Sequence, residues 1–362
     1  MLATASPVAA AISSTKRRGK GGWEVGSVCM AAAWSRNVRS VDSRLASFQC
    51  IVFTRAIVLR DCMLTLRQLE FAVAVAEEGG FTAAARRCNT VQSALSHQVA
   101  KIEETFGARL FERGTRQVRP TAAGEVFLHN ARQTLHAAER LHEEMAQALG
   151  TVRGRLALGQ ISSLTTVQLP GLLHQFRSAH ARVDVHLRTA MSEALLHDLG
   201  EGRLDVVLVG VGPQVAVPAQ RLLLHEEALA LIVAPGHRFA ARKRVALAEL
   251  DDEPMAGLIP GAGVRGIIDA AFAQAGLRQR QQYEVTHADL VRELVAAALG
   301  VGIIPQTMAG AMRGVVTVAL KERYRFLTYA VWRPDPSPAA RAFVALLRAQ
   351  LARPKPPARI AR

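Results

Sequence analysis

The sequence predicts an α/β protein built in series: an all-α segment carrying a hairpin wing, one long helix, then a larger domain of alternating strands and helices. Three observations lead there. Apolar residues between 66 and 106 recur every three or four positions and are broken by glycines, the pattern of short amphipathic helices. Residues 121–149 hold the same period over one continuous stretch. From residue 156 onward, short apolar runs alternate with helical segments, as when a sheet is covered by helices.

Composition narrows the class. The chain has 362 residues, enough for two or three domains, and half of them are hydrophobic. No apolar run approaches the roughly 18 to 20 residues that cross a bilayer, so no membrane partner is expected. The net charge of +15 resembles a nucleic-acid signature, but it is spread thinly. Residues 1–62 hold nine Lys/Arg and three Asp/Glu, residues 63–120 eight and six, and the remainder 28 and 21. Placement of charge must therefore carry any argument about DNA, because the total does not. Cys29, Cys50, Cys62 and Cys88 include no CxxC pair, which argues against a zinc site or redox pair. Three of the four fall in the first 62 residues, and a single remaining thiol suits a reducing cytoplasm.

Residues 1–62 lack sustained periodicity and contain the Ser-, Gly- and basic-rich run 13–22. The preferred expectation is that translation begins at Met63, the alternative being a disordered basic extension. The apolar run 7–12 precedes the basic cluster, the reverse of a secretory signal.

Leu66, Leu69, Val73 and Ala76 define a first helix, ended by Gly79-Gly80. Thr82 is expected to cap a second, with Ala83, Ala84 and Ala85 allowing close contact and Arg86 and Arg87 free for phosphates. After Asn89-Thr90 comes a longer helix whose stripe is Leu95, Val99, Ile102 and Phe106. At roughly 100° per residue its opposite face holds Ser93, Ser96, His97 and Ala100, with Gln92 beside them. Two helices joined by a tight turn form a helix-turn-helix, whose second helix enters the DNA major groove. Gln pairs with an adenine edge, and Ser with several bases or with phosphate.

Residues 63–124 closely resemble the DNA-binding domain of LysR-type transcriptional regulators, beginning with Met63-Leu-Thr-Leu-Arg-Gln-Leu-Glu-Phe71. Two departures stand out. Cys88 replaces the usual Leu, and Thr90-Val91 transposes the family's capping residue, so the cap is expected at Thr90 or Asn89. Leu110-Phe111 and Val118 flank a Gly114-Thr115-Arg116 turn that reads as the wing, from which Arg113, Arg116 and Arg119 reach phosphates or a narrow minor groove. The resemblance extends through Thr121-Ala-Ala-Gly124, and Thr121 joins the candidate DNA contacts.

Residues 121–150 read as a linker helix with a coiled-coil seam at Leu128, Ala131, Leu135, Ala138, His142, Met145 and Leu149, Leu141 being an alternative to His142. A symmetric pair reads a palindrome, so a homodimer or homotetramer is expected. Residues 152–155 form a hinge. The effector domain then spans 154–352, with a frayed tail at 353–362. Expected strands are 156–159, 183–187, 206–209, 228–233, 256–259, 283–286, 302–304 and 328–332 in a largely parallel sheet. Expected helices are 169–179, 193–201, 267–275, 289–299 and 339–352.

LysR-type effector domains resemble two-lobed periplasmic binding proteins. The resemblance implies a first lobe at about 154–224 and 327–352, a second at about 225–326, and a small-molecule co-inducer in the cleft between them. It places effector contacts at Ser163, Ser192, Pro260 and Gly261, with Thr286 and His287 as weaker candidates. Helix amino termini there suit a carboxylate or similar anion.

Gly261-Ala-Gly263-Val-Arg-Gly266 is also a literal GxGxxG with Glu284 beyond it, so a NAD-dependent oxidoreductase is the competing function. A transport solute-binding protein is a third reading, with no use for a wing or coiled coil. No His spacing or nucleophile constellation suggests catalysis, a metal or another cofactor. The leading expectation is a cytoplasmic, effector-responsive transcriptional regulator whose partners are double-stranded DNA, a second copy of itself and RNA polymerase.

Overall fold

The computed structural model describes residues 64–113, 118–164 and 166–352. Residues 1–63, the expected turn Gly114-Thr115-Arg116 and the tail from 353, about which the sequence raised expectations, lie outside this set, as do Thr165 and the side chain of Arg113.

Helix α1 (Leu66–Glu78) starts with a capping box: Thr65 Oγ1 accepts from Gln68 N, and Thr65 N donates to Gln68 Oε1 at 2.9 Å. Gly79, at φ +66°, ends it in the left-handed conformation that favours glycine. Helix α2 (Phe81–Arg87) follows at once. Its N-cap is Gly80, with no side-chain cap, so Thr82 does not fill the expected role. Asn89 supplies the left-handed residue at φ +51°, and Thr90 N returns to Ala85 O at 2.9 Å, closing the turn. Helix α3 (Gln92–Phe106) buries Leu95, Val99 and Ile102 completely, as its period requires. Phe106 departs from that stripe. It sits at the last position of the helix, is 55% exposed, and packs edge-on against Phe127.

The wing is the antiparallel pair β1 (Phe111–Arg113) and β2 (Val118–Pro120), which sets Glu112 opposite Arg119. Val118 N donates to Gly79 O at 3.1 Å, fastening the wing to the end of α1. Helix α4 (Ala122–Ala148) is 27 residues long, about 40 Å at 1.5 Å per residue. Its first turns bury Leu128 and Ala131 within the DNA-binding domain, so these two expected seam residues face inward. Leu135 and Ala138 are half-buried, while Leu141, Met145 and Leu149 are exposed.

The effector domain begins with β3 (Gly154–Gln160), so the expected hinge is shorter than 152–155. Then come α5 (Leu169–Ala179), β4 (Val183–Thr189), α6 (Ser192–Gly200), β5 (Val206–Val211), β6 (Arg221–Val233), β7 (Arg244–Val245), β8 (Pro254–Leu258), α7 (Gly263–Ala275), β9 (Arg280–Val285), α8 (Ala288–Ala296), β10 (Gly302–Pro305), α9 (Gln306–Ala311), β11 (Val316–Leu320), β12 (Arg325–Trp332) and α10 (Pro338–Ala352).

Two lobes share one strand. In the first lobe the order is β4-β3-β5-β12-β6; β3 is parallel to β4 and β5, and β12 is antiparallel to both its neighbours. The 13-residue β6 pairs with β12 over its first half, then with β10 and β11 over its second. The parallel pair β8 and β9 joins β10 through the bridge Met255–Val301. The sheet is therefore mixed, because the chain crosses between lobes out along β6 and back along β12. Phe176 and Phe343 meet edge-on at 5.6 Å in the core outside the first lobe's sheet.

Gly124 tests how α4 is seated. A Cβ there would lie 2.0 Å from Leu110 O, which accepts from Thr121 N at 2.9 Å and so cannot easily move. Helix propensity alone would make Gly124→Ala stabilising by up to about 1 kcal/mol. The overlap reverses the sign, and thermal unfolding should show a loss of about 1–3 kcal/mol.

Candidate nucleic-acid interface and effector cleft

The polar face of α3 is displayed as its period demands. Gln92, Ser93, His97 and Ala100 are exposed and Ser96 is half-buried, all opposite the buried Leu95–Val99–Ile102 stripe. Gln98, on the flank, donates no such face; its Oε1 accepts from Gln68 Nε2 at 3.0 Å and ties α3 to α1. The helix is capped by neither Thr90 nor Asn89. Its N-cap is Val91, and among the described residues no side chain caps the first amides. Asn89 has been taken by the turn, which explains the shift. The first amides of α3 are thus left without side-chain acceptors and point the way an anion would approach.

Several basic residues have defined partners. Arg87 is held by Glu77 at 2.6 Å and Glu78 at 3.3 Å, so it is an internal tie rather than a free phosphate ligand. Arg86 and Arg119 are exposed. Thr121 turns out to be the cap of α4: its hydroxyl accepts from Gly124 N at 3.0 Å and donates to Arg109 O at 2.7 Å. It orders the start of the linker beside the wing. Sequence reasoning missed Glu103, whose Oε1 accepts from Leu110 N at 2.8 Å and Phe111 N at 3.3 Å, fixing where the wing begins.

Of the expected effector contacts, Ser163 and Ser192 line one small cavity, while Pro260, Gly261 and Thr286 do not. Ser163, Ser192, Gly210, Ala262 and Gly263 surround a cavity of only about 10 Å³. Ser192 is 3% exposed, and its hydroxyl donates to Gly210 O at 2.7 Å. Glu193 N donates to Gly261 O at 3.2 Å, so a backbone carbonyl of one lobe occupies the amino end of α6 in the other. Gly263 is required by this approach: a Cβ there would lie 1.8 Å from Gly210 O. Pro260 is exposed next to the contact. Thr286 Oγ1 bonds His287 Nδ1 at 2.7 Å, and both are exposed. A roomier cavity of about 300 Å³ lies alongside, lined by Ser162, His287, Arg292, Met308 and Arg313 among others. The last three were not singled out from sequence, since nothing in their spacing marks a cleft wall.

The glycine loop does not form a dinucleotide site. Arg265 pairs with Glu284 at 2.7 Å and Asp269 at 2.6 Å, so the acid expected to meet a ribose is already engaged. Gly266 has open space where its Cβ would be, so it serves no close packing. The tight approach at Gly263 is to the opposite lobe.

Polar contacts fasten the middle of α4 to the first lobe. Arg132 Nη1 meets Glu201 Oε2 at 2.8 Å, His129 Nδ1 meets Glu201 Oε1 at 2.9 Å, and His136 Nε2 meets Asp205 Oδ1 at 3.1 Å. Asp205 also accepts from Ala157 N at 2.7 Å. Burial pushes the Glu201 carboxyl up, but the hydrogen bond from His129 and the charges of His129, Arg132 and Arg203 outweigh it and hold Glu201 below the usual range. Glu143 is opposite. Burial raises its pKa, the amide of Arg155 opposes that, and Glu143 Oε2 has no hydrogen-bond partner among the described residues.

A polar helix face offered to solvent, with a wing beside it and a two-lobed ligand domain joined through one long helix, belongs to a regulator that reads DNA and answers to a small molecule. Comparison with known proteins places it further. Residues 66–125 match the family model for bacterial regulatory helix-turn-helix proteins of the lysR family, and residues 149–352 match the LysR substrate binding domain. The chain belongs to the LysR-type family of transcriptional regulators. It is 30% identical over 246 residues to the hydrogen peroxide-inducible genes activator of Dickeya chrysanthemi, covering 67% of this chain and 79% of that one. It is 30% identical over 251 residues to the transcriptional regulator AlsR of Bacillus subtilis, covering 67% and 81%. Among solved structures, CbnR complexed with its target DNA has a TM-score of 0.51 and 25% identity, covering 79% of this chain and 99% of that one. A full-length OxyR variant from Pseudomonas aeruginosa shares the fold, with a TM-score of 0.60, 23% identity and coverage of 80% and 95%. The oxidoreductase alternative finds no support among these relatives.

Glu143 yields a pH test. Its raised pKa favours the protonated folded state, so its contribution to stability is fully present below the unfolded pKa of about 4.3 and is lost as pH rises through the higher folded value. Glu143→Gln removes that loss. Melting temperatures measured between pH 4 and 8 should show the variant gaining on the unaltered chain as pH rises; a gap independent of pH would contradict the assignment.

Proposed function

We propose that this regulator binds DNA through Gln92, Ser93, Ser96 and His97 in the major groove, with Arg113, Arg116 and Arg119 of the wing on phosphates or the neighbouring minor groove. Thr121 contributes by ordering the start of α4. The observation that carries the reading is the amino end of α3: a small, largely exposed polar face, with amides that no side chain caps among the described residues. A phosphate oxygen supplies the acceptor those amides lack, while the side chains beyond it meet base edges. The reading also takes the protein as a cytoplasmic homodimer, or a homotetramer, that contacts RNA polymerase when bound near a promoter. Leu141, Met145 and Leu149 support self-association, being exposed by 61%, 60% and 83% along one helix.

The co-inducer is a small molecule held between the lobes by the region of Ser163, Ser192, Pro260, Gly261 and Thr286. A carboxylate or similar anion suits the amino end of α6 once the Gly261 carbonyl is displaced from it. The peroxide response in some relatives' names is not carried over through thiol chemistry, because residues 149–352 contain no cysteine to oxidise. The protein works without catalysis or a resident cofactor.

Gel-shift and footprinting assays on genomic fragments selected by the full chain test the reading. Ser96→Glu with His97→Glu sets two carboxylates against the groove and should abolish specific protection, with or without effector. Arg119→Ala should weaken binding to all sequences alike and lower the steepness of the salt dependence by about one. A double variant that protects the same sites as the unaltered chain would remove α3 from the interface.

A further inference from the structure

A cavity of about 640 Å³ lies between the DNA-binding helices and the first effector lobe. Its walls carry Arg67, Arg87, Arg132, Arg155, Arg188 and Arg203. Five of the six are already held by carboxylates: Arg67 by Glu70, Arg87 by Glu77 and Glu78, Arg132 by Glu201, and Arg188 and Arg203 by Asp198. Among the described residues, an incoming anion would meet one unengaged guanidinium, that of Arg155. The geometry therefore favours a structural use of these charges over a ligand site.

Arg132 differs from the others because it reaches both ways. Its side chain is 9% exposed. Nη1 donates to Glu201 Oε2 at 2.8 Å, on the effector side. Nε lies 3.9 Å from Glu77 Oε1 of α1 and has no hydrogen-bond partner among the described residues. Glu77 in turn meets Arg87 of α2 at 2.6 Å. Glu201, Arg132, Glu77 and Arg87 thus form a line of alternating charge.

The far end of that line leads to the cleft. Glu201 follows directly on the last residue of α6, whose carbonyl at Gly200 also accepts from Gln133 of α4 at 3.2 Å. The first residues of α6, nine residues and about 13 Å away, are Ser192 and Glu193, which bond to Gly210 and across the cleft to Gly261. One short rigid helix therefore has one end in the effector cleft and the other on the linker.

Building on the regulator reading above, we propose that Arg132 is a positioning residue: by bridging Glu201 and Glu77 it makes the presentation of α2 and α3 depend on the position of α6, and so on the state of the effector cleft. The Arg132–Glu77 spacing exceeds hydrogen-bond reach, so it is the link that tightens or opens when α6 shifts by an ångström. Ion pairs at the wall of a partly enclosed cavity are screened by salt less than exposed ones.

Amide hydrogen exchange on the full chain tests this, in Arg132→Gln, Glu201→Gln, their double variant and Arg132→Lys. Each Gln variant should speed exchange in residues 81–87 at least about fivefold, leaving α7 unchanged. The double variant should exceed neither single by much, because both cut one line, and Arg132→Lys should recover part of the protection. Unchanged exchange at 81–87 in the Gln variants, or effects that simply add, would overturn the proposal. If Arg132→Gln loses protection throughout the effector domain, Glu201→Gln decides by the same criterion. DNA binding by the unaltered chain is measured alongside: its failure would sink the regulator reading and leave the exchange result to stand or fall separately.

Discussion

One unbroken helix belongs to two domains, and the rest of the architecture depends on how it divides its faces. The amino-terminal turns of α4 give apolar side chains, Leu128 and Ala131, to the DNA-binding core. Farther along, the same cylinder gives polar side chains, Arg132, His136 and Arg140, to the effector domain. Helical geometry fixes the angle between these sets, since each residue turns the direction by about 100°. What remains, Leu141, Met145 and Leu149, is apolar and faces solvent. The division also separates kinds of energy. Buried aliphatic contacts hold α4 in its own DNA-binding domain, whereas its grip on the effector domain is largely ion pairs and hydrogen bonds that can be exchanged at modest cost, with Ala146 buried farther along.

The effector cleft has a comparable economy of means. Its closure uses backbone: the Gly261 carbonyl on the Glu193 amide, and Gly263 against Gly210. A ligand with an oxygen acceptor can replace the carbonyl one for one, so lobe movement need not leave a buried donor unsatisfied. The chemistry that closes the cleft is the chemistry that would let it open.

The parts of this design that were readable in the sequence are those governed by local period. Leu95, Val99 and Ile102 announced a buried stripe because burial and the helical repeat coincide, and α5 spans the very residues its pattern marked. Features that depend on distant partners were not readable. The first half of β6, Arg-Leu-Leu-Leu-His-Glu-Glu, mixes charge with aliphatics and becomes a strand by pairing with β12 about a hundred residues later. The cap of α3 could not be assigned because Asn89 was needed twice, as a possible cap and as the left-handed turn residue, and the turn took it. Arg132 is an unremarkable arginine in a helix until the fold brings Glu201, 69 residues away, against it.

The central claim, that α3 enters the major groove by its amino end while the wing lies outside it, can be read directly from where each residue touches DNA. A photo-crosslinking amino acid at position 96, and in a second protein at position 119, would be mapped on the bound operator at nucleotide resolution. The account predicts crosslinks from position 96 to bases within the recognised site and from position 119 to the flanking backbone or minor groove. Crosslinks from position 96 confined to the backbone, or absent while position 119 reaches the bases, would contradict it.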